Sequence, residues 1–211
     1  MSDAEQSARL RQLWEGEFGD AYVERNIDAA AKRGDFWRDL LARVPVSSAL
    51  EVGCNVGGNL VWIAEQLGTA NIAGVDVNGT ALEILAGRLP GADLRSATAV
   101  ALPFADQSFD LVFTMGVLIH VAPVDLEPAM REVIRCSRRY ILAGEYYAPQ
   151  VTEVPYRGHE GALYKRDYGS LYQALGMGLR LVETRFLPAA EGAFDDVTYW
   201  LFELPGAATD A

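Results

Sequence analysis

Cysteine and histidine are scarce in this sequence, which has two residues of each among 211. Two cysteines, Cys54 and Cys136, cannot form the disulfide framework of a small secreted protein, so we expect reduced thiols and a cytoplasmic location. The two histidines stand far apart in the chain and make no local metal-ligand motif. The sequence therefore predicts no metal site.

Positive charge and long apolar runs are also in short supply. The chain has 18 Lys and Arg residues against 29 Asp and Glu, a net charge of −11, which argues against a nucleic-acid surface. No apolar run approaches the length of a membrane span, and the polar N-terminus does not resemble a signal peptide. With 50% hydrophobic residues, we expect one globular domain over residues 1–211, as a monomer or homodimer.

A glycine-bearing turn stands out in what the sequence does contain, ALEVGCNVGGNL at residues 49–60. Gly53 and Gly57 let a ligand approach the main chain closely, and Glu51 is an acid inside an apolar strand, where an unpartnered carboxylate is costly. The next predicted strand ends near Asp76. A glycine turn followed by an acid one strand later is how a doubly wound sheet holds an adenosine.

The apolar periodicity predicts alternating strands and helices. Two helical stretches come first, at 4–16 and 20–44, the second with a break near Gly34. Strands follow at 48–54, 71–77, 92–97, 109–115, 139–145, 180–186 and 198–203, with helices at 59–67, 79–88, 125–136 and 167–174. This order predicts an α/β fold with a doubly wound, seven-stranded, mainly parallel sheet. Because no helix separates the last two strands, we expect an antiparallel hairpin at the sheet edge. Residues 1–44 would be a helical cap on a core at 45–204.

Two cofactor classes use a glycine turn of this kind. Nicotinamide-binding oxidoreductases carry G-x-G-x-x-G, whose second glycine is replaced here by Asn55. The spacing of Glu51, Gly53 and Gly57 instead resembles motif I of class I S-adenosylmethionine-dependent methyltransferases. That family usually has glycine at Asn55, and Asn tolerates left-handed geometry. A reversed last strand of a Rossmann-like sheet also resembles this family, over about residues 50–203.

The resemblance implies roles for residues at the strand ends. Asp76, with Val77 beside it, would accept hydrogen bonds from the ribose hydroxyls. The segment ATAVALPF at 97–104 resembles the family's G-D-A-x-x-L-P-F, which places Thr98 and Ala99 at the adenine. Thr98 departs from the usual acid and would accept a weaker hydrogen bond.

A second segment, FDLVFTMGVLIH at 109–120, resembles motif IV of the same family. It implies that Met115 and Gly116 lie beside the methionine part of the cofactor. His120 would then stand at the transferred methyl group, as a general base or as a residue that only shapes the pocket. Glu145, at the end of the fifth strand, is a second candidate catalytic residue that could accept from a substrate amine or hydroxyl.

The region after the fifth strand is basic and aromatic within an acidic chain. We expect it to bind a small, anionic or sugar-like acceptor, or else to pair with the acidic body of the protein. The predicted substrate-binding residues are Tyr146, Tyr147, Arg157, His159 and Lys165.

An aromatic residue recurs every four positions near the N-terminus, at Trp14, Phe18 and Tyr22. This stripe either packs on the core or closes over the cofactor, in which case Arg25 could meet the methionine carboxylate. Together with GVLIH and VPYRGHEG, this run is similar to a bacterial methyltransferase family associated with pseudaminic acid biosynthesis.

The sequence thus predicts methyl transfer from S-adenosylmethionine to an O or N nucleophile of a small molecule, with no nucleic acid and no membrane as partner. Two alternatives remain: an NAD(P)-dependent oxidoreductase, and a non-catalytic protein that binds the same cofactor.

Overall fold

The computed structural model describes residues 2–27 and 32–206. The first helix begins with a capping box, in which the Glu5 backbone N–H donates to the Ser2 hydroxyl and the Ser2 N–H to the Glu5 carboxylate. The helices are α1 (Asp3–Glu15), α2 (Glu17–Asn26), α3 (Gly34–Leu41), α4 (Leu60–Leu67), α5 (Gly79–Arg88), α6 (Pro123–Cys136) and α7 (Tyr168–Ala174). None of those described is long and apolar enough to cross a membrane.

The strands are β1 (Ala49–Val52), β2 (Ile72–Asp76), β3 (Asp93–Ser96), β4 (Phe109–Met115), β5 (Ser137–Glu145), β6 (Thr152–Glu153), β7 (Tyr164–Lys165), β8 (Arg180–Leu187) and β9 (Val197–Glu203). Seven of them form the main sheet, in the order β3-β2-β1-β4-β5-β9-β8. The first five in this order are parallel, and β9 runs antiparallel to both β5 and β8. The strands β6 and β7 form a separate two-stranded sheet.

Alternate residues of the central strands point to opposite faces of the sheet, and each face has its own core. Val112 of β4 packs with residues of α6 and α7 in one core. Its neighbours Leu111 and Phe113 pack with residues of α3, α4 and α5 in the other. A central strand buried on both faces is expected to be mainly apolar, which explains the run Leu111–Phe113 between Asp110 and Thr114.

The predicted seven-stranded sheet with a reversed last strand is confirmed. The predicted antiparallel hairpin at the sheet edge is also confirmed: β8 pairs with β9, β9 pairs in turn with β5, and β8 is the edge strand. The small β6-β7 sheet was not predicted, since two-residue strands carry no periodic pattern. The predicted helix at 20–44 is divided into α2 and α3, and part of it, residues 28–31, lies outside the described residues.

Candidate functional site

A cavity of about 740 Å³ lies at the carboxyl ends of the parallel strands, under α1 and α2. We call it the large cavity, and ligands of doubly wound sheets bind at this edge of the sheet. Many of the residues singled out in the sequence line it, namely Trp14, Tyr22, Glu51, Gly53, Asn55, Asp76, Val77, Thr98, Ala99, Met115, Gly116 and His120.

The turn after β1 has the left-handed backbone that its sequence predicts. Asn55 has φ +45° and Gly53 has φ +73°, a region that Asn and Gly tolerate best. A Cβ atom on Gly53 would lie 2.4 Å from a methyl group of Val117. Gly57, which the sequence also predicts as a cofactor contact, does not line the cavity; a Cβ there would meet Leu85 of α5 at 2.3 Å.

Asp76 joins the turns that follow β1 and β2. Its Oδ2 accepts the backbone N–H of Asn55 at 2.8 Å, and its Oδ1 accepts that of Asn78 at 2.9 Å. Burial raises the pKa of this carboxyl group, and the two N–H donors lower it. The carboxylate is therefore held in one orientation while it faces the large cavity.

Glu51 is buried within β1, and its Oε1 accepts from the Asn59 side-chain amide at 2.6 Å. The other oxygen, Oε2, has no hydrogen-bond partner among the described residues. Burial raises the pKa of Glu51 to about 8, although the Asn59 bond and the charge of Arg33 lower it. A buried carboxyl oxygen without a partner on a cavity wall is a place where a ligand donor would be bound.

The N-terminal aromatic residues cover the large cavity. The Trp14 ring centroid lies 5.3 Å from Phe18, 5.2 Å from Tyr22 and 4.5 Å from His120. Tyr156 of the 146–166 segment completes the cluster, 6.0 Å from Phe18 and 4.9 Å from His120. The indole Nε1 of Trp14 is buried without a partner among the described residues.

Among the described residues, one hydrogen bond orients the imidazole of His120. Its Nδ1 lies 2.6 Å from the backbone carbonyl of Ala162, and a carbonyl can only accept, so Nδ1 carries the hydrogen. The Nε2 lone pair is therefore available to a ligand. Burial lowers the pKa of His120 to about 4, against the opposing effect of the Ala162 carbonyl. The ring is neutral at pH 7.

A second cavity, of about 270 Å³, adjoins the first. We call it the small chamber. The two cavities share six wall residues: Tyr22, Asn26, Arg33, Met115, Gly116 and His120. The residues that line only the small chamber include Arg25, Arg157, Tyr146, Tyr156 and Asp195. The Tyr146 hydroxyl donates to Asp195 Oδ2 at 2.9 Å, and burial together with this carboxylate raises the pKa of Tyr146.

The Arg157 side chain reaches the chamber from a tight turn. Tyr156 and His159 exchange two backbone hydrogen bonds, of 2.9 and 3.0 Å. Arg157 has φ +48° and Gly158 has φ +87°. A non-glycine residue in this region is strained by about 1–2 kcal/mol, and such strain is typical of functional sites.

Glu145, predicted to be catalytic, lines neither cavity. It is fully buried and accepts from the Thr114 hydroxyl at 2.8 Å and from the backbone N–H groups of Leu118 and Ile119. Burial raises the pKa of Glu145 to about 7, and these donors lower it. The side chain thus holds the backbone directly before His120, a positioning role that the sequence alone did not indicate.

Three predicted substrate residues also lie outside both cavities. Tyr147 is 48% exposed. The His159 ring packs edge-on against Phe18, with 4.9 Å between centroids. Lys165 places its ammonium 5.7 Å from the Tyr146 ring centroid, so it supports a chamber residue from outside.

Sequence reasoning missed many wall residues, and the polar ones among them include Arg33, Asn59, Asn78 and Asp195. Asn78 caps α5 through the Ala81 N–H and donates to Asp20 of α2, which ties the N-terminal helices to the sheet. An Asn directly after an acid-ending strand is a recognisable helix cap. No local pattern marks Arg33 or Asp195, because their partners are distant in sequence.

Comparisons with known proteins agree with this architecture. Residues 49–139 match the family model described as a methyltransferase domain. "Methyltransferase GfsG" of Streptomyces halstedii is 33% identical over 123 residues, which are 54% of this chain and 43% of that protein. Trans-aconitate 2-methyltransferase of Rhizobium rhizogenes is 37% identical over 84 residues, 38% of this chain and 32% of that one. The matched stretches span less than half of either relative.

A solved structure is similar over nearly the whole chain. It is the 1,6-didemethyltoxoflavin-N1-methyltransferase of Burkholderia thailandensis with bound S-adenosylhomocysteine, at a TM-score of 0.75 and 15% identity. The alignment covers 97% of this chain and 91% of that one. The likeness to the pseudaminic-acid-associated family stays a prediction. Over residues 49–139 the sequence is thus similar to a methyltransferase domain, and the chain has the fold of class I S-adenosylmethionine-dependent methyltransferases.

Proposed function

We propose that this protein transfers a methyl group from S-adenosylmethionine to an O or N nucleophile of a small anionic metabolite. One observation carries the proposal: the large cavity and the small chamber meet at a shared wall that contains Met115, Gly116 and His120. A cofactor in the first and an acceptor in the second would bring their reacting atoms together at that wall, which supplies the proximity that methyl transfer needs.

The large cavity offers polar groups that fit this cofactor. Glu51 Oε2, Asn55 Oδ1 and Trp14 Nε1 are buried without partners among the described residues, and native proteins leave few such atoms unsatisfied. Asp76 would bind the ribose hydroxyls, and Thr98 with Ala99 would bind the adenine. When bound, S-adenosylmethionine supplies an electrophilic methyl group on a sulfonium centre.

His120 contributes at the shared wall as a neutral hydrogen-bond acceptor. Its Nε2 lone pair can receive the O–H or N–H of the acceptor, which orients the nucleophile's own lone pair. The protonated form of His120 has a pKa of about 4, so the neutral imidazole is a weak base. The nucleophile would therefore lose its proton late in the reaction or to water. Positioning would then supply most of the rate.

The charge of the small chamber supports an anionic acceptor. Arg25, Arg33 and Arg157 line it against the single carboxylate of Asp195, in a chain whose net charge is −11. Guanidinium groups bind carboxylate and phosphate in a bidentate manner. The relative named for trans-aconitate shows that an anion can serve as acceptor in a related protein. Arg157, which the sequence predicted for this role, would bind the anion together with Arg25, whereas His159 and Lys165 lie outside the chamber.

Hydroxyl and amide groups fill much of the remaining chamber wall. Tyr22, Asn26 and Tyr156 line it, and such side chains suit the hydroxyl or amino groups of a sugar-like or amino-acid-like molecule. These groups do not distinguish O from N methylation.

Cofactor binding and methyl transfer can be tested one after the other. Calorimetric titration with S-adenosylhomocysteine and with NADH should show binding of the first only, which would exclude the oxidoreductase alternative. Incubation with methyl-labelled S-adenosylmethionine and a panel of small carboxylates and phosphates should then label one class. The variant Arg25→Met/Arg157→Met should lose labelling while binding S-adenosylhomocysteine normally; Arg131→Met, on the exposed side of α6, serves as the control. Cofactor binding without labelling of any acceptor would favour the non-catalytic alternative.

A further inference from the structure

Arg33 stands between the two cavities and lines both. Its Nε donates to the backbone carbonyl of Ala193 at 3.0 Å, and its Nη1 donates to Asn59 Oδ1 at 3.2 Å. The guanidinium carbon lies 4.9 Å from the Phe194 ring centroid. Within the described part of the chain, these hydrogen bonds use two of the five side-chain N–H groups of Arg33. The remaining N–H groups can donate to a ligand.

Asn59 holds a cationic and an acidic side chain next to each other on the wall of the large cavity. Its Oδ1 accepts from Arg33 and from Trp37 Nε1, and its Nδ2 donates to Glu51 Oε1. One amide therefore fixes both groups, and the acidic group keeps Oε2 without a partner among the described residues. An α-amino acid carries an ammonium and a carboxylate on one carbon, so it complements this pair of groups once Glu51 has lost its proton.

We propose that Arg33 binds the carboxylate of the cofactor's amino-acid part and thereby fixes the segment 189–196, which forms one wall of the small chamber. The proposal rests on the proposed function. Ala193 and Phe194 of this segment contact Arg33, and Asp195 of the same segment lines the small chamber. Arg33 is thus a positioning residue that prepares the acceptor wall when the cofactor is present.

This assignment replaces the one that the sequence favoured. Arg25, expected at the methionine carboxylate, lines the small chamber and does not line the large cavity. It remains free for the acceptor, whereas Arg33 is the arginine with access to both ligands. The two arginines should therefore differ in which ligand's affinity they control.

Two ligands that differ by one group test the carboxylate contact. S-adenosylhomocysteine and its decarboxylated analogue, 5′-(3-aminopropylthio)-5′-deoxyadenosine, are titrated calorimetrically into wild type and Arg33→Met. The variant should bind S-adenosylhomocysteine about 10- to 100-fold more weakly, the effect of a lost charged hydrogen bond, and should bind the analogue as wild type does. Arg33→Lys should fall between the two, and Arg38→Met, on the exposed face of α3, should match wild type.

Hydrogen exchange of wild type tests the second half of the proposal without any variant. S-adenosylhomocysteine should slow exchange of amides in 189–196, and the decarboxylated analogue at equal saturation should not. Equal loss of affinity for both ligands in Arg33→Met, or equal protection of 189–196 by both ligands in wild type, would overturn the proposal. Failure of wild type to bind either ligand would instead contradict the proposed function.

Discussion

Replacing Glu51 with Gln should remove a pH-dependent destabilisation from the ligand-free protein. Gln has nearly the same shape, and its oxygen can still accept from the Asn59 amide that now bonds Oε1 at 2.6 Å. Its amide nitrogen would take the place of Oε2, which faces the large cavity without a partner among the described residues. The substitution therefore deletes an ionisable group with little change in packing.

The sign of the effect follows from the raised pKa. Burial raises the pKa of Glu51 from 4.5 to about 8, and each tenfold change in acidity corresponds to about 1.4 kcal/mol. Below pH 4.5 both the native and the unfolded protein hold the proton. Between pH 4.5 and 8 only the unfolded chain loses it, so the free energy of unfolding falls by an amount on the order of 5 kcal/mol and then levels off.

Urea unfolding of wild type and Glu51→Gln at intervals from pH 5 to pH 9 measures this difference. The variant should gain on wild type steadily up to about pH 8, because its side chain cannot ionise. The variant Glu65→Gln, at an exposed position of α4, should follow wild type throughout. Parallel curves for wild type and Glu51→Gln would refute the argument that burial holds the Glu51 proton.

A calorimetric measurement connects the same group to the ligand. If the cofactor's ammonium binds ionised Glu51, then S-adenosylhomocysteine at pH 7 must displace the proton. The apparent binding enthalpy of wild type should therefore depend on the ionisation enthalpy of the buffer, and that of Glu51→Gln should not. Equal buffer dependence in both proteins would mean that another group releases the proton.

Four further substitutions have distinct expected effects. Asp76→Asn should weaken S-adenosylhomocysteine binding by about 10²-fold in calorimetry. It should also lower the free energy of unfolding by about 1–3 kcal/mol, because one backbone N–H loses its acceptor. Unchanged affinity would contradict the ribose assignment. His120→Phe, which keeps the ring contacts, should lower kcat by about 10²-fold without weakening cofactor binding. The rate of the wild-type enzyme should be lost only as the pH falls toward 4. A rate loss centred near pH 6.5 would contradict the neutral ring. Glu145→Gln should lower kcat through the displaced 117–119 backbone, visible as changed hydrogen exchange there. Arg157→Gly should raise the melting temperature by relieving about 1 kcal/mol of strain while raising the acceptor KM; a lower melting temperature would refute the strain argument.

The core of the fold was predictable because its signals are local. The helix at 79–88 and the strand at 109–115 have the bounds that their periodicity predicts, since each buries a complete apolar face. Glu51, Asn55 and Asp76 were predictable for a different reason. Each is a polar or left-handed exception inside or directly after a buried strand, and such exceptions are expected at functional sites.

The chamber was less predictable because its residues come from segments that share no local pattern. Arg25 lies in α2, just after the last residue of the N-terminal aromatic stripe. Arg157 lies in a four-residue turn, and Asp195 lies in the β8-β9 loop. Basic composition singled out the 146–166 segment, but only the backbone decides that Arg157 lines the chamber while Lys165 lies outside it. Glu145 was misjudged for the same reason: its position at the end of β5 suggests exposure to the site, and the 117–119 backbone covers it.

Water exclusion acts in opposite directions on the pKa values of Glu51 and His120. It raises the pKa of Glu51 and lowers that of His120, so near pH 7 both side chains are uncharged before any ligand binds. Among the described residues, Arg25 and Arg157 line the small chamber with the Asp195 carboxylate, and Arg33 lines both cavities. A zwitterionic amino acid part would restore the charge of Glu51 and occupy Arg33, which leaves Arg25 and Arg157 as the cations available to the acceptor. The order of charge pairing therefore favours cofactor binding before an anionic acceptor.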